Sequence, residues 1–252
     1  MKPSHFKLKS YELKHLTWND VESYLKVDDR IIIPIGSTEQ HGPKSIIGTD
    51  HLAAEHIAIE SGKLSKILVS PTLSIGMSEH HLAFPGTLSF SKEVYYLVLH
   101  NLLTRLHQQG FRRFLLINGH GGNCRTVKAV FHQLASELDN FSPVLFNWWD
   151  VPEVTTYLDK HFGKWEGMHA TPGETSLMMY FYPELISKKP VPKGRRPSKE
   201  IYHNAIRPED YRQLFPEGVW YADPNLASSK HGKMIFNLCI DYILPKINKW
   251  DF

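Results

Sequence analysis

The feature that most constrains this chain is a set of four short, unbroken apolar runs: "RIIIPIG" (30–36), "KILVSPTL" (66–73), "RRFLLIN" (112–118) and "PVLFNWW" (143–149). None alternates apolar with polar residues, so each reads as a strand covered on both faces. Helical patterns fall between them. "DHLAAEHIAIESG" (50–62) opens on an acid and closes on a glycine. Ser91 to Gly110 carries Tyr95, Val98, Leu99, Leu102 and Leu106 at helical spacing, and Cys124 to Leu138 carries a stripe through Val127, Val130, Phe131 and Leu134. Residues 173–182 read as a short buried helix, and 228–244 as a long one that Pro245 stops. Strands alternating with helices predict an α/β fold with a largely parallel central sheet. No repeat and no boundary interrupts the pattern, so the 252 residues are read as a single domain, 1–252.

Composition narrows the function classes. Apolar residues make up 42% and charged residues 22%, which is globular rather than disordered. A net charge of only +3 gives no case for a nucleic-acid partner. The first twenty residues are basic without a following apolar block, and no stretch approaches the ~20 apolar residues of a membrane span. We therefore expect no signal peptide, no membrane anchor and a cytoplasmic location. Cys124 and Cys239 lie far apart, which excludes a disulfide scaffold and suits a reducing compartment. The sequon at Asn140 is read as chance, and the basic, Pro-rich "KKPVPKGRRPSKE" (188–200) as a solvated loop.

A parallel sheet places ligands at the carboxyl ends of its strands, and the loops there carry the chemistry. After the first run come Glu39 and His41, two residues apart, a spacing that points both side chains the same way in an extended segment. Asp50 opens the next helix, whose positive end favours an ionised carboxylate. Converging carboxylates repel unless a cation lies between them, and these oxygen and nitrogen donors suit Zn, Mn or Fe(II). Asp50 has two oxygens and is a candidate bridge between two ions. The plainer reading is a surface loop with capping residues and a loop histidine.

In "LLINGHGGNC" (115–124), His120 follows the third run between Gly119, Gly121 and Gly122. Cys124 stands where a dinucleotide fingerprint needs its third glycine, and no phosphate-loop Lys follows. The loop is either ligand-bearing or a tight turn with a locally bonded histidine. In "GMHATPGETSLMM" (167–179), His169 precedes Glu174 by five residues. Glu174 either stabilises its own helix end or ligates a metal. His169 is a candidate proton shuttle or oxyanion donor. Trp148 and Trp149 are placed either to stack on a flat substrate or as core or subunit-contact aromatics.

Taken with these residues, the chain resembles the creatininase family of metal-dependent amidohydrolases. The resemblance runs through "GSTEQHGPKSIIGTD" (36–50), "GMSEHHLAFPGTLSF" (76–90), "NGHGGN" (118–123), "HATPGETS" (169–176) and "GVWYADPNLAS" (218–228). It implies a three-layer αβα domain with two divalent ions (Zn, Mn or Fe). Glu39 and His120 would hold one ion and His41 the other, with Asp50 bridging. It implies His169 near the scissile bond and Ser78 in the substrate pocket. It also implies a homo-oligomer, often a hexamer. Creatinine-cleaving members carry a glutamate where this chain has Gly122, which makes Glu174 the replacement ligand and argues against creatinine itself. Thr171 and Pro172 also replace the family's usual Gly and Glu. The expected function is therefore hydrolysis of a C–N bond in a small cyclic or linear amide by a metal-activated water. Two alternatives stand beside it: a metallophosphatase, although few Arg or Lys flank the ligand loops, and a non-catalytic metal-binding protein that retains the fold.

Overall fold

The computed structural model describes residues 8–195 and 207–252. Four parallel strands form one sheet in the order β2-β1-β3-β4: β1 Arg30–Ile35, β2 Leu68–Val69, β3 Arg113–Asn118 and β4 Ser142–Asn147. Register runs from Arg30 opposite Arg113 to Ile35 opposite Asn118, and Asn118 lies opposite Asn147. The carboxyl ends of β1, β3 and β4 therefore finish level with one another.

Eight α-helices accompany the sheet among the described residues: α1 Trp18–Leu25, α2 Thr49–Ser65, α3 Lys92–Gln108, α4 Cys124–Glu137, α5 Pro152–His161, α6 Pro172–Phe181, α7 Pro208–Leu214 and α8 Ser229–Lys249. Successive strand side chains face opposite sides, and here each side has its own core. Ile32, Leu115, Ile117 and Phe146 pack with α2, α5, α6 and α8, whereas Ile31, Ile33, Ile35, Phe114 and Leu116 pack with α1, α3 and α4. This is the three-layer αβα arrangement, and it explains why the strand interiors are apolar on both faces.

Three boundaries differ from the sequence reading. The second run yields only a two-residue strand, because it carries one extra residue against β1 between Val69, opposite Ile32, and Leu73, opposite Ile35. Ser70 N–H still donates to Ile32 O (2.9 Å) and Leu73 N–H to Pro34 O (3.0 Å), so the segment stays alongside β1. Helix α2 passes Gly62 and ends where Lys66 takes a left-handed conformation at φ +61°. Helix α8 continues through Pro245 to Lys249. Proline costs one intrahelical bond there, but Ile243 and Ile247 on either side are fully buried and Arg30 Nη1 donates to Ile247 O at 2.9 Å. Packing outweighs propensity at that turn.

Within 188–200, residues 188–195 run largely exposed, with Lys193 paired to Asp223 at 2.8 Å; residues 196–200 lie outside the described set. Cys124 and Cys239 are both free thiols. No helix among the described residues is long and apolar enough to cross a membrane.

Candidate metal centre

The level strand ends bring three loops and two helix starts together. The loop after β1 supplies Glu39 and His41, and α2 begins one residue before Asp50. The loop after β3 supplies His120, clamped by Asn118: His120 N–H donates to Asn118 Oδ1 (3.1 Å), and Asn118 Nδ2 donates to His120 O (2.8 Å). A Cβ on Gly119 would run into the backbone carbonyl of Asp50, so only glycine lets this loop lie against the start of α2. Asn123 ties the loops together, donating to Gly36 O (3.0 Å) and accepting from Met77 N–H (3.2 Å). Both asparagines bound the "NGHGGN" stretch, and that placement is their signal in the sequence.

Glu39, His41, Asp50 and His120 are all buried. One donor atom from each of Glu39, Asp50 and His120 lies within 4.8 Å of the others, and the same holds for His41, Asp50 and Glu174. Asp50 belongs to both groups through different oxygens: Oδ1 is 2.9 Å from His41 Nε2, and Oδ2 is 3.0 Å from His120 Nδ1. His120 Nδ1 is also 3.2 Å from Glu39 Oε2. The structure thus brings all five residues picked as ligands into one cluster.

Backbone carbonyls set the imidazole tautomers, because a carbonyl only accepts. His41 Nδ1 lies 3.1 Å from Glu39 O and His120 Nε2 lies 3.0 Å from Met77 O, so those nitrogens carry the proton. The other nitrogen of each ring then presents a lone pair to carboxylate oxygens. Acceptor facing acceptor is unfavourable unless a cation sits between them. His41 Nε2 and Asp50 Oδ2 are buried and have no hydrogen-bond partner. This donor set fits divalent cations: carboxylate oxygens and outward-braced imidazoles, stripped of water.

Without an ion, protons take that place. Burial pushes His41 down, but Asp50, Glu174 and Glu39 beside it outweigh burial and raise it to about 10. Burial likewise opposes, and Glu39 and Asp50 overcome, a rise of His120 to about 9. Asp50 is driven below the usual carboxylate range by the same two imidazoles, against its burial. Glu39 is raised to about 7 and Glu174 is raised, in both cases chiefly by burial.

Glu174 answers to both readings made of it from the sequence. It closes a capping box: its backbone N–H donates to Thr171 Oγ1 (3.0 Å), and its Oε2 accepts from Thr171 N–H (2.8 Å). That same oxygen is 3.9 Å from His41 Nε2. His169 lies beside the cluster, its Nδ1 3.5 Å from Glu39 Oε1 and its ring centroid 4.5 Å from that of His41. Burial and the neighbouring His41 hold its pKa well below the usual histidine value.

A cavity of about 590 Å³ opens over these groups, in the range of small-molecule sites. Trp148 and Trp149 form part of its wall, from a 3₁₀ turn directly after β4. Trp148 also belongs to the core beneath. Ser78 is placed differently from the expectation of a pocket residue. It is fully buried behind Glu39, hydrogen-bonded to its Oε2 and to Ser37, and it orients the carboxylate from the protein side. The sequence reading gave no role to His80, His81, Glu166 and Trp220, which also line the cavity. The "EHH" pair was the available signal for the two histidines. Among the described residues no Lys or Arg lines the cavity.

Comparison with known proteins bears on this geometry. A family model described as "Creatininase: Creatinine amidohydrolase" matches residues 14–247. The chain belongs to the creatininase family. Among its relatives, the creatinine amidohydrolase of Pseudomonas putida is 26% identical, over 96% of this chain and 97% of that protein. The 3-dehydro-scyllo-inosose hydrolase of Thermotoga maritima is 28% identical over 90% and 79%, respectively. The mycofactocin precursor peptide peptidase of Mycobacterium ulcerans is 28% identical over 87% and 85%. All three are hydrolases by name, and this creatininase-family chain is one too. Solved structures of a creatininase mutant described as Zn-Zn type and of "Creatininase Mn" each match with a TM-score of 0.81, over 96% of this chain and 98% of theirs. At 23% and 24% identity that likeness shows the fold.

Proposed function

We propose that this chain, acting as a single domain, is a dinuclear metal-dependent amidohydrolase that cleaves a C–N bond of a small cyclic or linear amide. The observation that carries the reading is the shared Asp50, whose two oxygens face two separate imidazole lone pairs at 2.9 and 3.0 Å. Glu39 and His120 complete one ion's set, and His41 and Glu174 the other's. Zn and Mn are the first candidates, since related creatininase structures are described with them.

Bound ions would supply Lewis acidity to a carbonyl oxygen and make a water nucleophilic near neutral pH. The chain's own residues do the rest. His169, at the cavity wall beside Glu39, takes a proton from the attacking water and passes it to the leaving nitrogen. Ser78 and Ser37 hold Glu39 from behind. Trp148 and Trp149, whose rings meet edge to face at 88°, provide an apolar corner against which a substrate packs.

The cavity's charge supports an amide over a phosphate ester. Among the described residues its wall has five carboxylates (Glu39, Asp50, Asp159, Glu166 and Glu174) and no Lys or Arg to clamp a phosphoryl group. Gly122 weighs against creatinine: a Cβ there would strike His120 Nε2 and come within 2.6 Å of Met77 O, so the glutamate of creatinine-cleaving members does not fit this loop as it stands. Self-association, as a hexamer or a smaller homo-oligomer, belongs to the same proposal. Exposed apolar side chains such as Trp18 and Leu97 are its candidate contacts, and light scattering of the purified protein tests it.

The deciding experiment is metal analysis by mass spectrometry, coupled to turnover on a panel of lactams, formamides and short peptides. Two ions per chain are expected, with His169→Ala keeping both and losing turnover. A stoichiometry of one ion or fewer, or full kcat in the His169 variant, would overturn the proposal.

A further inference from the structure

Gln40 sits between Glu39 and His41, is buried, and touches two histidines that the metal sets do not use. Its amide orientation is fixed by groups that cannot exchange roles. Oε1 accepts from Gly42 N–H (2.8 Å), and Nε2 donates to Gly218 O (3.1 Å). One amide hydrogen remains, with two ring nitrogens in range: His81 Nδ1 at 2.9 Å and His169 Nε2 at 2.8 Å. His169 Nε2 also lies 2.7 Å from the backbone carbonyl of Gln40, which only accepts. That nitrogen therefore carries a hydrogen and has no lone pair to offer. The remaining amide hydrogen goes to His81 Nδ1.

We propose that residue 40 is a positioning residue that sets both tautomers, its side chain fixing His81 and its backbone carbonyl fixing His169. His81 then bears its hydrogen on Nε2 and turns it toward Glu39 Oε1 at 3.4 Å. His169 bears its hydrogen on Nε2 and presents a bare Nδ1 on the cavity side, 3.5 Å from the same oxygen.

Two consequences follow. Donor atoms of Glu39, His81 and His169 lie within 4.8 Å of one another, close enough for a third ion. His81 offers a hydrogen there rather than a lone pair, so this trio holds no metal. Within the trio, the one ring nitrogen free to accept a proton is His169 Nδ1. This deepens the amidohydrolase reading and rests on it for the role of that atom, but the tautomers themselves are independent of any substrate.

The test is two-bond ¹H–¹⁵N correlation of the histidine rings in uniformly labelled, zinc-loaded protein, with His81 and His169 assigned by substitution. Both rings should show the Nε2–H pattern. In Gln40→Glu, the carboxylate cannot donate, so His81 should switch to Nδ1–H while His169 keeps Nε2–H. Zinc content should be no lower than in the wild type, since a bared His81 Nε2 removes no ligand, and kcat on a responsive amide should fall at least tenfold. Gln40→Met removes the donor without adding charge and serves if the Glu variant fails to fold; there, His81 should populate both tautomers. An Nδ1–H pattern for wild-type His81, a doubly protonated His169, or an unchanged His81 in both variants would overturn the proposal. If no amide is turned over by the wild type, the amidohydrolase reading falls while the ring patterns still decide the tautomers.

Discussion

Replacing Asp50 with Asn tests whether one carboxylate serves two ions. In the wild type, Oδ1 faces His41 and Oδ2 faces His120, so both metal sets depend on the same side chain. An amide keeps the shape but loses the charge, and it offers a single oxygen. Its nitrogen donates to whichever imidazole lone pair it meets, occupying that ligand. An ion that binds only the folded state adds about 2.7 kcal/mol at a free concentration of 100 Kd, and two such ions add about 5.4 kcal/mol. For a chain of this size each kcal/mol moves Tm by roughly 2–4 °C, so saturation should raise the wild-type Tm by roughly 11–22 °C over chelated protein. His41→Ala removes a ligand from one set only and should keep about half of that rise. Asp50→Asn should keep almost none. The assay is differential scanning fluorimetry of each variant with chelator and with zinc, so that each is compared with its own metal-free baseline. If Asp50→Asn retains as large a metal-induced rise as His41→Ala, the two sets do not share Asp50 and the dinuclear reading is wrong.

Glu174→Gln keeps the capping box, since Gln serves at that position as Glu does; chelated protein should melt within about 1 kcal/mol of wild type, while zinc titration should show one of two sites weakened. Loss of the fold instead would make Glu174 a structural cap alone. Gly122→Ala pushes a methyl group against His120 Nε2, displacing the ring from Met77 O, and should cost the ion held by Glu39 and His120 while sparing the other; equal retention of both by mass spectrometry would refute this. Metal binding should also release protons. His41 and His120 are raised to about 10 and about 9 in the metal-free chain, so each holds a proton at neutral pH that an ion must displace. Apparent affinity should fall with pH below about 9, and calorimetry in buffers of different ionisation heat should count about two protons per chain from the imidazoles, and more as pH drops toward about 7, where Glu39 also holds one. The sign for folding is the reverse. Because both values are raised on folding, these ion pairs stabilise metal-free protein fully below about 6.5. That contribution should fade as pH climbs through about 9 and 10, and chelated protein should lose Tm there where zinc-loaded protein does not.

The layers of the fold were legible because burial on both faces leaves a strand no polar positions. Ile31 to Ile35 and Phe114 to Ile117 are apolar at nearly every step, since alternate residues feed different cores. Helix ends were less legible where a tertiary contact decides them. Pro245 reads as a stop until Ile247 and its carbonyl contact to Arg30 are known. Helix α5 was not anticipated at all, although Pro152 stands at its first position and Val154 and Leu158 give it a buried face.

At the site, residue type was legible and orientation was not. Glu39, His41 and His120 announce themselves as donors in loops after buried strands, and Asp50 and Glu174 as acids at helix starts. Ser78 has no such signature: a serine in a glycine-flanked loop reads equally as a substrate contact or as a brace, and its complete burial behind Glu39 makes it the brace. The deeper limit is the proton on each ring. His41, His120 and His169 each face a backbone carbonyl, of Glu39, Met77 and Gln40, and those contacts turn a lone pair inward. His81 meets an amide donor instead and so turns a hydrogen inward. Four histidines of the same type within one cluster thus divide into lone-pair donors and a hydrogen donor through partners outside the cluster. Two of those carbonyls are adjacent, on Glu39 and Gln40, so the extended segment that supplies Glu39 and His41 as ligands also sets the tautomers of His41 and His169. A one-residue shift of that segment against the sheet would exchange donors for acceptors throughout the centre. The bond from Glu39 N–H to Ile47 O at 3.0 Å, where the segment meets the run into α2, holds that register.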